Sequence, residues 1–235
     1  MKKTFTIKTL FKDSWKDYKA NWSLFILIGI IFLLVSLLSN LGTTFDPVTE
    51  TVRQSPVIVI LGWLLQMFIG LGFIRFMLNL VDGKEHKVED LFKGAESFTH
   101  FLYFVVVAML YSALVGFGSL LLLIPGIIAL IGFIFAQYLI AEQKTGIFES
   151  FKESWKMTSG NRWKILWLMI VLIFFNLLGA LALLLGLLVT VPMSYIIYAR
   201  LYRVLGDGST QAVSSDEHDI EVVDVVEGDQ TKSEE

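Results

Sequence analysis

Residues 101–141, FLYFVVVAMLYSALVGFGSLLLLIPGIIALIGFIFAQYLIA, run for 41 positions without an acidic, basic or imidazole side chain. A bilayer core about 30 Å thick is crossed by about 20 apolar residues in a helix, so this stretch is about two spans long. Pro125-Gly126 breaks it. The reading is a hairpin of two apolar helices with almost no external loop.

The same logic extends in both directions. Trp163 to Tyr198 repeats the arrangement, with Gly186 and Pro192 near the turn, and its two members are short or strongly tilted. Upstream, apolar runs cover Ser23 to Leu41 and Val57 to Val81, separated by the polar stretch Gly42 to Pro56, which contains Asp46, Pro47 and Glu50. Asp82-Gly83-Lys84-Glu85 ends the second run. The expected fold is an all-α integral membrane protein with about six transmembrane helices in three hairpins. The last two hairpins could instead be re-entrant, because irregular backbone inside lipid is tolerated only where protein buries it. Either version returns the chain to the side from which it came.

Composition agrees. The chain is 55% hydrophobic with a mean hydropathy of +0.67, above the roughly half-apolar usage of soluble domains. Lys2 and Lys3 precede an apolar run as in a secretory signal. That run starts only near Ser23, is longer than a signal core and lacks an A-x-A-like site, so it reads as a retained first span. With no Cys, disulfides, thiolate nucleophiles and Cys-based metal sites are excluded.

The net charge of −3 hides a segregation. Lys2, Lys3, Lys8, Lys12, Lys16 and Lys19 precede the first span. Lys84, Lys87 and Lys93 follow the second, Lys144, Lys152, Lys156, Arg162 and Lys164 follow the fourth, and Arg200 and Arg203 close the last. Only Arg53 falls in a loop on the other side, and Arg75 lies inside a span near its basic end, where it can snorkel to the headgroups. Positive residues are retained in the cytoplasm, so the expected location is the cell membrane, multi-pass, with both termini cytoplasmic. A transmembrane domain then covers residues 1–205, and 206–235 forms a disordered acidic cytoplasmic tail carrying a short apolar patch, Ile220 to Val226.

The basic segments contain a repeat. Phe11-Lys12-Asp13-Ser14-Trp15-Lys16 recurs as Phe151-Lys152-Glu153-Ser154-Trp155-Lys156, and a weaker copy, Leu91-Phe92-Lys93-Gly94-Ala95, precedes the third span. Ile7, Phe11, Trp15, Tyr18 and Trp22 are spaced as one helical face beside a lysine stripe. Each hairpin is therefore expected to follow a cytoplasmic amphipathic helix lying in the headgroup region. The candidate membrane-interface residues are Phe11, Trp15, Lys16, Phe151, Trp155 and Lys156. Asn21 and Asn161 are candidate N-caps for the spans that follow, and Gly160 a helix end. Anionic lipid headgroups of the bilayer are the expected partners, with a membrane-protein partner as an alternative and no nucleic acid.

Chemistry is sparse. No Asp or Glu lies deep in a span. Gln66, Asn79, Gln137 and Asn176 suit bonds between helices. His86, His100 and His218 lack ligand-spaced partners, so no metal, cofactor or catalytic residue is expected. Gly132 with Ala136, and Ala182 with Gly186, have the small-xxx-small spacing of close helix packing.

Pro125-Gly126, Ala136, Tyr138, Ala141-Glu142, Phe151-Lys152, Ser154-Trp155, Thr158, Gly160-Asn161 and Trp163-Lys164 together resemble a group of prokaryotic membrane proteins. The group includes uncharacterised bacterial families and the membrane domain attached to some glycerophosphodiester phosphodiesterases. The resemblance is best over Pro125 to Leu205 and implies a six-helix membrane module. It implies no phosphodiesterase activity, which in those proteins belongs to a separate soluble domain. The expected function is a non-enzymatic module that scaffolds or modulates envelope proteins or lipids; the alternative is a transporter or channel for a small solute or lipid.

Overall fold

The computed structural model describes residues 5–40, 43–46, 51–121, 123–182 and 186–206. Residues 207–235, where the acidic tail is expected, lie outside the described part. Helix dominates: α1 (Ile7–Ala20), α2 (Trp22–Asn40), α3 (Pro56–Val81), a 3-10 helix (Val88–Lys93), α4 (Phe98–Leu121), α5 (Leu123–Gly132), α6 (Ala136–Ala141), α7 (Ile147–Thr158), α8 (Arg162–Leu181) and α9 (Leu187–Gly206). Between α2 and α3, where the sequence suggests only a polar stretch, β1 (Thr43–Asp46) and β2 (Thr51–Gln54) pair antiparallel, Thr43 opposite Gln54 and Asp46 opposite Thr51. Threonine, phenylalanine and valine favour extended backbone.

Among the described residues, four helices are long and apolar enough to cross a membrane: Pro56–Val81, Phe98–Leu120, the interrupted Ile124–Ala141, and Arg162–Leu181. The pair α1 and α2, bent by 83° at Asn21, makes a fifth if counted as one span. The sixth expected span is α9. It has the length but carries Pro192, Thr190, Ser194, Arg200 and Arg203, which lower its apolarity. Its second half is largely enclosed by protein: Met193, Ile196, Ile197, Ala199, Leu201, Tyr202 and Leu205 are buried and α9 touches α1, α2, α3, α7 and α8, while Leu188, Val191 and Tyr195 face outward.

Aromatic contacts fill the interior. Phe25 meets Phe76, Phe32 meets Phe73, and Phe73 meets Tyr195, with ring centroids 6.3, 5.5 and 4.9 Å apart. Deeper toward α6, Phe135 and Tyr202 lie 5.7 Å apart. Outward-facing leucines, isoleucines and phenylalanines of α2, α3, α4 and α8 stay exposed, as lipid-facing helices require.

Both arginines of α9 are tied to carboxylates. Arg203 grips Asp82, which follows α3, through Nε and Nη2 at 2.7 Å each, and its Nη1 reaches Glu142, which follows α6, at 2.6 Å. Arg200 donates to Asp17 of α1, through Nε at 3.1 Å. Arg75 also departs from the expectation of a headgroup-seeking side chain. It donates to the Gly94 carbonyl at 3.0 Å and pairs with Glu96 at 2.5 Å. Charge-assisted bonds of this kind, bidentate at Arg203–Asp82, fix geometry as well as charge, so these residues fasten helix ends.

Candidate functional site

The three copies of the repeat hold equivalent places. Each packs on the second helix of a neighbouring helix pair: α7 on α5 and α6, the 3-10 helix on α3, and α1, closing the cycle, on α9. In α1 and α7 the burial pattern nearly coincides. Ser14 and Ser154 are fully buried, Tyr18 and Thr158 are buried, and Lys12, Trp15, Lys16, Lys152, Trp155 and Lys156 are exposed.

Thus the protein-facing stripe runs through position 14 or 154, one step from the aromatic stripe that the sequence emphasises. Phe11 and Phe151 sit at its edge, against Phe175 at 5.4 Å and Phe133 at 5.3 Å. Trp15 stacks on Tyr18 at 5.8 Å, with Lys19 over its ring. Trp155 is enclosed on one face by the Arg162 guanidinium, 3.7 Å from its centroid. Against its other contacts stands Gly132, where an added Cβ would lie 2.4 Å from the ring, so the helix can approach only without a side chain there. Lys16 reaches outward, and Lys156 pairs weakly with Glu153 at 3.5 Å.

What these stripes face explains their chemistry. Between α5 and α6 the helical ladder breaks: Ala136 N–H bonds to the Phe133 carbonyl and leaves that of Gly132. Ser154 fills the gap. Its hydroxyl donates to the Gly132 carbonyl at 2.9 Å and accepts from the Phe135 N–H at 3.1 Å. The Thr158 hydroxyl, whose shorter bond at 3.2 Å goes to the Trp155 carbonyl of its own helix, lies 3.5 Å from the Gly132 carbonyl. In α9, Pro192 has no N–H to give the Leu188 carbonyl four residues before it. The Tyr18 hydroxyl donates to that carbonyl at 3.2 Å. Broken backbone at membrane depth must find such partners. The repeat supplies them at positions 154 and 158 in one copy and at 18 in the other.

The third copy relies on close approach. A Cβ on Gly72 would fall 2.0 Å from the Leu91 carbonyl oxygen, and one on Gly94 would fall 2.3 Å from the Gly72 nitrogen. Leu91 is fully buried there.

The cap expectations divide. Gly160 ends α7 at φ +82°, as expected of a glycine in the left-handed region. Neither Asn21 nor Asn161 caps through its side chain. Asn21 donates to the Asp17 carbonyl at 3.0 Å, its Oδ1 lies 3.0 Å from His86 Nε2, and Asn161 starts α8 through its main-chain carbonyl. Asn176 does bond between helices, to Ser194 at 2.9 Å. His100, placed by the sequence near a loop, is buried; its Nε2–H donates to the Ile140 carbonyl at 2.8 Å, and Nδ1 accepts from Gln143 at 3.1 Å. These two contacts give His100 a structural role, tying α4 to the end of α6.

The densest charge lies around Glu142, which accepts from Tyr202 at 2.6 Å and from Lys144 at 2.8 Å besides Arg203. Burial raises its carboxyl, but Lys144, Tyr202 and Arg203 outweigh that and hold it below the usual range. Each charge there already has a partner, so the cluster locks helices and offers no poised acid or base. Among the described residues no group of three or more His, Asp or Glu could hold a metal ion. The sequence missed this cluster because Asp17, Asp82 and Glu142 stand at helix ends, far apart in the chain.

The fold defines a helical protein with four or five apolar helices of membrane-spanning length. More particularly, the chain belongs to the family described as a domain of unknown function (DUF7847), whose model matches residues 11–226. That match takes in all three copies of the repeat and continues 20 residues past Gly206, the last described position. No curated protein and no solved structure matches the chain.

Proposed function

We propose that this chain is a multi-pass protein of the cell membrane, with three hairpins, both termini in the cytoplasm, and a non-enzymatic role in scaffolding or modulating envelope proteins or lipids. The observation that carries the reading is how the bundle spends its polar groups. Ser154, Thr158, Tyr18, Asn176 and the α9 arginines are engaged with backbone or with carboxylates of neighbouring helices. Among the described residues few polar groups remain to line a path, and the centre is packed with Phe76, Phe135, Tyr202, Ile196 and Leu71.

The basic residues of α1, the 3-10 segment and α7 all fall, in sequence, on the same side of the apolar spans, which the positive-inside rule assigns to the cytoplasm. On this reading α1 and α7 lie in the headgroup layer, with Trp15 and Trp155 at the boundary. A cleft of about 470 Å3 lined by Lys144, Lys156, Asn161 and Arg203 is the feature on which a transporter reading could build. It opens beside helix ends, not between hairpins, so we favour the module.

Reconstitution in liposomes separates the two. The module reading expects no saturable solute or lipid flux. It also expects a photo-reactive side chain at exposed Phe117 or Leu120 to cross-link a defined membrane protein or lipid in native membranes. Saturable flux that is blocked by substitutions in the Lys144 cleft would replace it with the transporter.

A further inference from the structure

The two strong copies of the repeat differ in what lies beside their tryptophan. Trp155 has Arg162 over one face and Gly132 against its ring. Trp15 instead borders an open groove of about 610 Å3 between α1 and the α8–α9 hairpin, a size within the roughly 300–1,000 Å3 of ligand sites. Phe11, Trp15, Phe175, Leu178, Val189 and Met193 form apolar walls. Glycines 179 and 186, where the two helices nearly touch, leave the floor without side chains.

Two polar features interrupt this lining. Lys12 is the one charged residue on it, and among the described residues it forms no ion pair; nor do Lys8 and Lys16, one turn to either side. Thr190 is 6% exposed, and its hydroxyl has no hydrogen-bond partner in the described structure. A buried hydroxyl without a partner is costly, and here it lies on the wall of an apolar slot. An apolar groove, an unsatisfied hydroxyl buried in its wall and unpaired lysines along its rim match one kind of molecule: a chain of methylenes carrying an ester carbonyl, for which Thr190 would have to turn, and an anionic phosphate.

We propose that this groove binds one anionic phospholipid, with an acyl chain against Phe175 and Met193, an ester carbonyl on Thr190 and the phosphate on Lys12. The inference rests on the placement of α1 in the headgroup layer. The lipid would then join α1 to the α8–α9 hairpin where Ser14, buried and without a hydroxyl partner, provides no bond.

The test uses the full chain in nanodiscs with Trp15 as the only tryptophan, the other five changed to Phe, and lipids brominated on the acyl chain. Brominated phosphatidylglycerol should quench Trp15 at lower mole fraction than brominated phosphatidylcholine. The expected preference is about five-fold, the factor that corresponds to roughly 1 kcal/mol for one lysine at an anionic surface. Lys12→Gln should abolish the preference, and Thr190→Val should weaken it. A parallel chain with Trp155 as its only tryptophan should show none. Equal quenching of Trp15 by the two lipids, or a preference unchanged in Lys12→Gln, overturns the site. So does quenching that rises when the chain is cut after Gly206, because the chain's own tail would then be the occupant. Absence of quenching by either lipid overturns the interfacial placement as well. Should the single-tryptophan chain not fold, native mass spectrometry of the unaltered chain decides. One phosphatidylglycerol should be retained over phosphatidylcholine, and Lys12→Gln should lose it; no selectivity overturns the proposal.

Discussion

Ser14 and Ser154 occupy equivalent positions in the repeat and are equally buried, yet replacing them with alanine should have opposite consequences. Ser154 serves two main-chain groups. Alanine would leave the Phe135 N–H without its 3.1 Å acceptor, and the Gly132 carbonyl would keep only Thr158 at 3.5 Å. An average hydrogen bond between membrane helices contributes only ~0.6 kcal/mol, because unfolded helices find other partners. Stranding a buried backbone donor is worse, roughly 1–3 kcal/mol, and sets the scale for Ser154→Ala. Ser14 has no partner for its hydroxyl, so Ser14→Ala removes a desolvated group and should be neutral or stabilising by up to about 1 kcal/mol. Equilibrium unfolding in mixed micelles with a graded denaturing detergent measures both. If the two variants agree within about 0.5 kcal/mol, the scatter of ordinary neutral substitutions, the backbone-patching argument is refuted.

Three further outcomes follow from the same geometry. Tyr18→Phe strands the Leu188 carbonyl next to Pro192 and should destabilise by about 1–2 kcal/mol in the same unfolding assay, whereas Tyr18→Phe combined with Pro192→Ala, which restores the N–H, should recover most of the loss. Gly132→Leu places a Cβ 2.4 Å from the Trp155 ring and should cost about 1–3 kcal/mol by overpacking, read as a lowered Tm. Because Glu142 is held below its ordinary carboxyl value of 4.5, its contribution is complete above that pH and fades as pH falls through the lower folded value. Unfolding midpoints from pH 7 down to 3 should show this loss, and it should shrink in Glu142→Gln.

The apolar runs were legible because a bilayer sets their length, and the Pro125-Gly126 break and the Gly160 stop follow from local backbone chemistry. The repeat was legible as well, and so was the aromatic stripe. Its purpose was not. Ser154 looks unremarkable in a polar segment until the break after Gly132, 22 residues earlier, is folded against it. The signal was nevertheless present, since serine is kept in both strong copies while the neighbouring residue changes from Asp13 to Glu153. Arg75 misled for a different reason: snorkelling is the default for an isolated arginine, and only tertiary contact reveals the Gly94 carbonyl and Glu96 as its partners. In α9, polarity reflects burial among other helices. Hydropathy, which assumes lipid on every side, understates that kind of helix.

The absence of cysteine makes one measurement direct. Single cysteines at Lys8, Thr51, Lys87, Glu149 and Ala182 can be probed in intact cells with a membrane-impermeant maleimide, before and after permeabilisation. The account predicts labelling of Thr51→Cys from outside, and of Lys8→Cys, Lys87→Cys and Glu149→Cys only after permeabilisation. External labelling of Ala182→Cys would mark the last hairpin as crossing, while its protection would mark it as re-entrant. External labelling at position 8, 87 or 149 in intact cells would contradict the membrane topology on which the account depends.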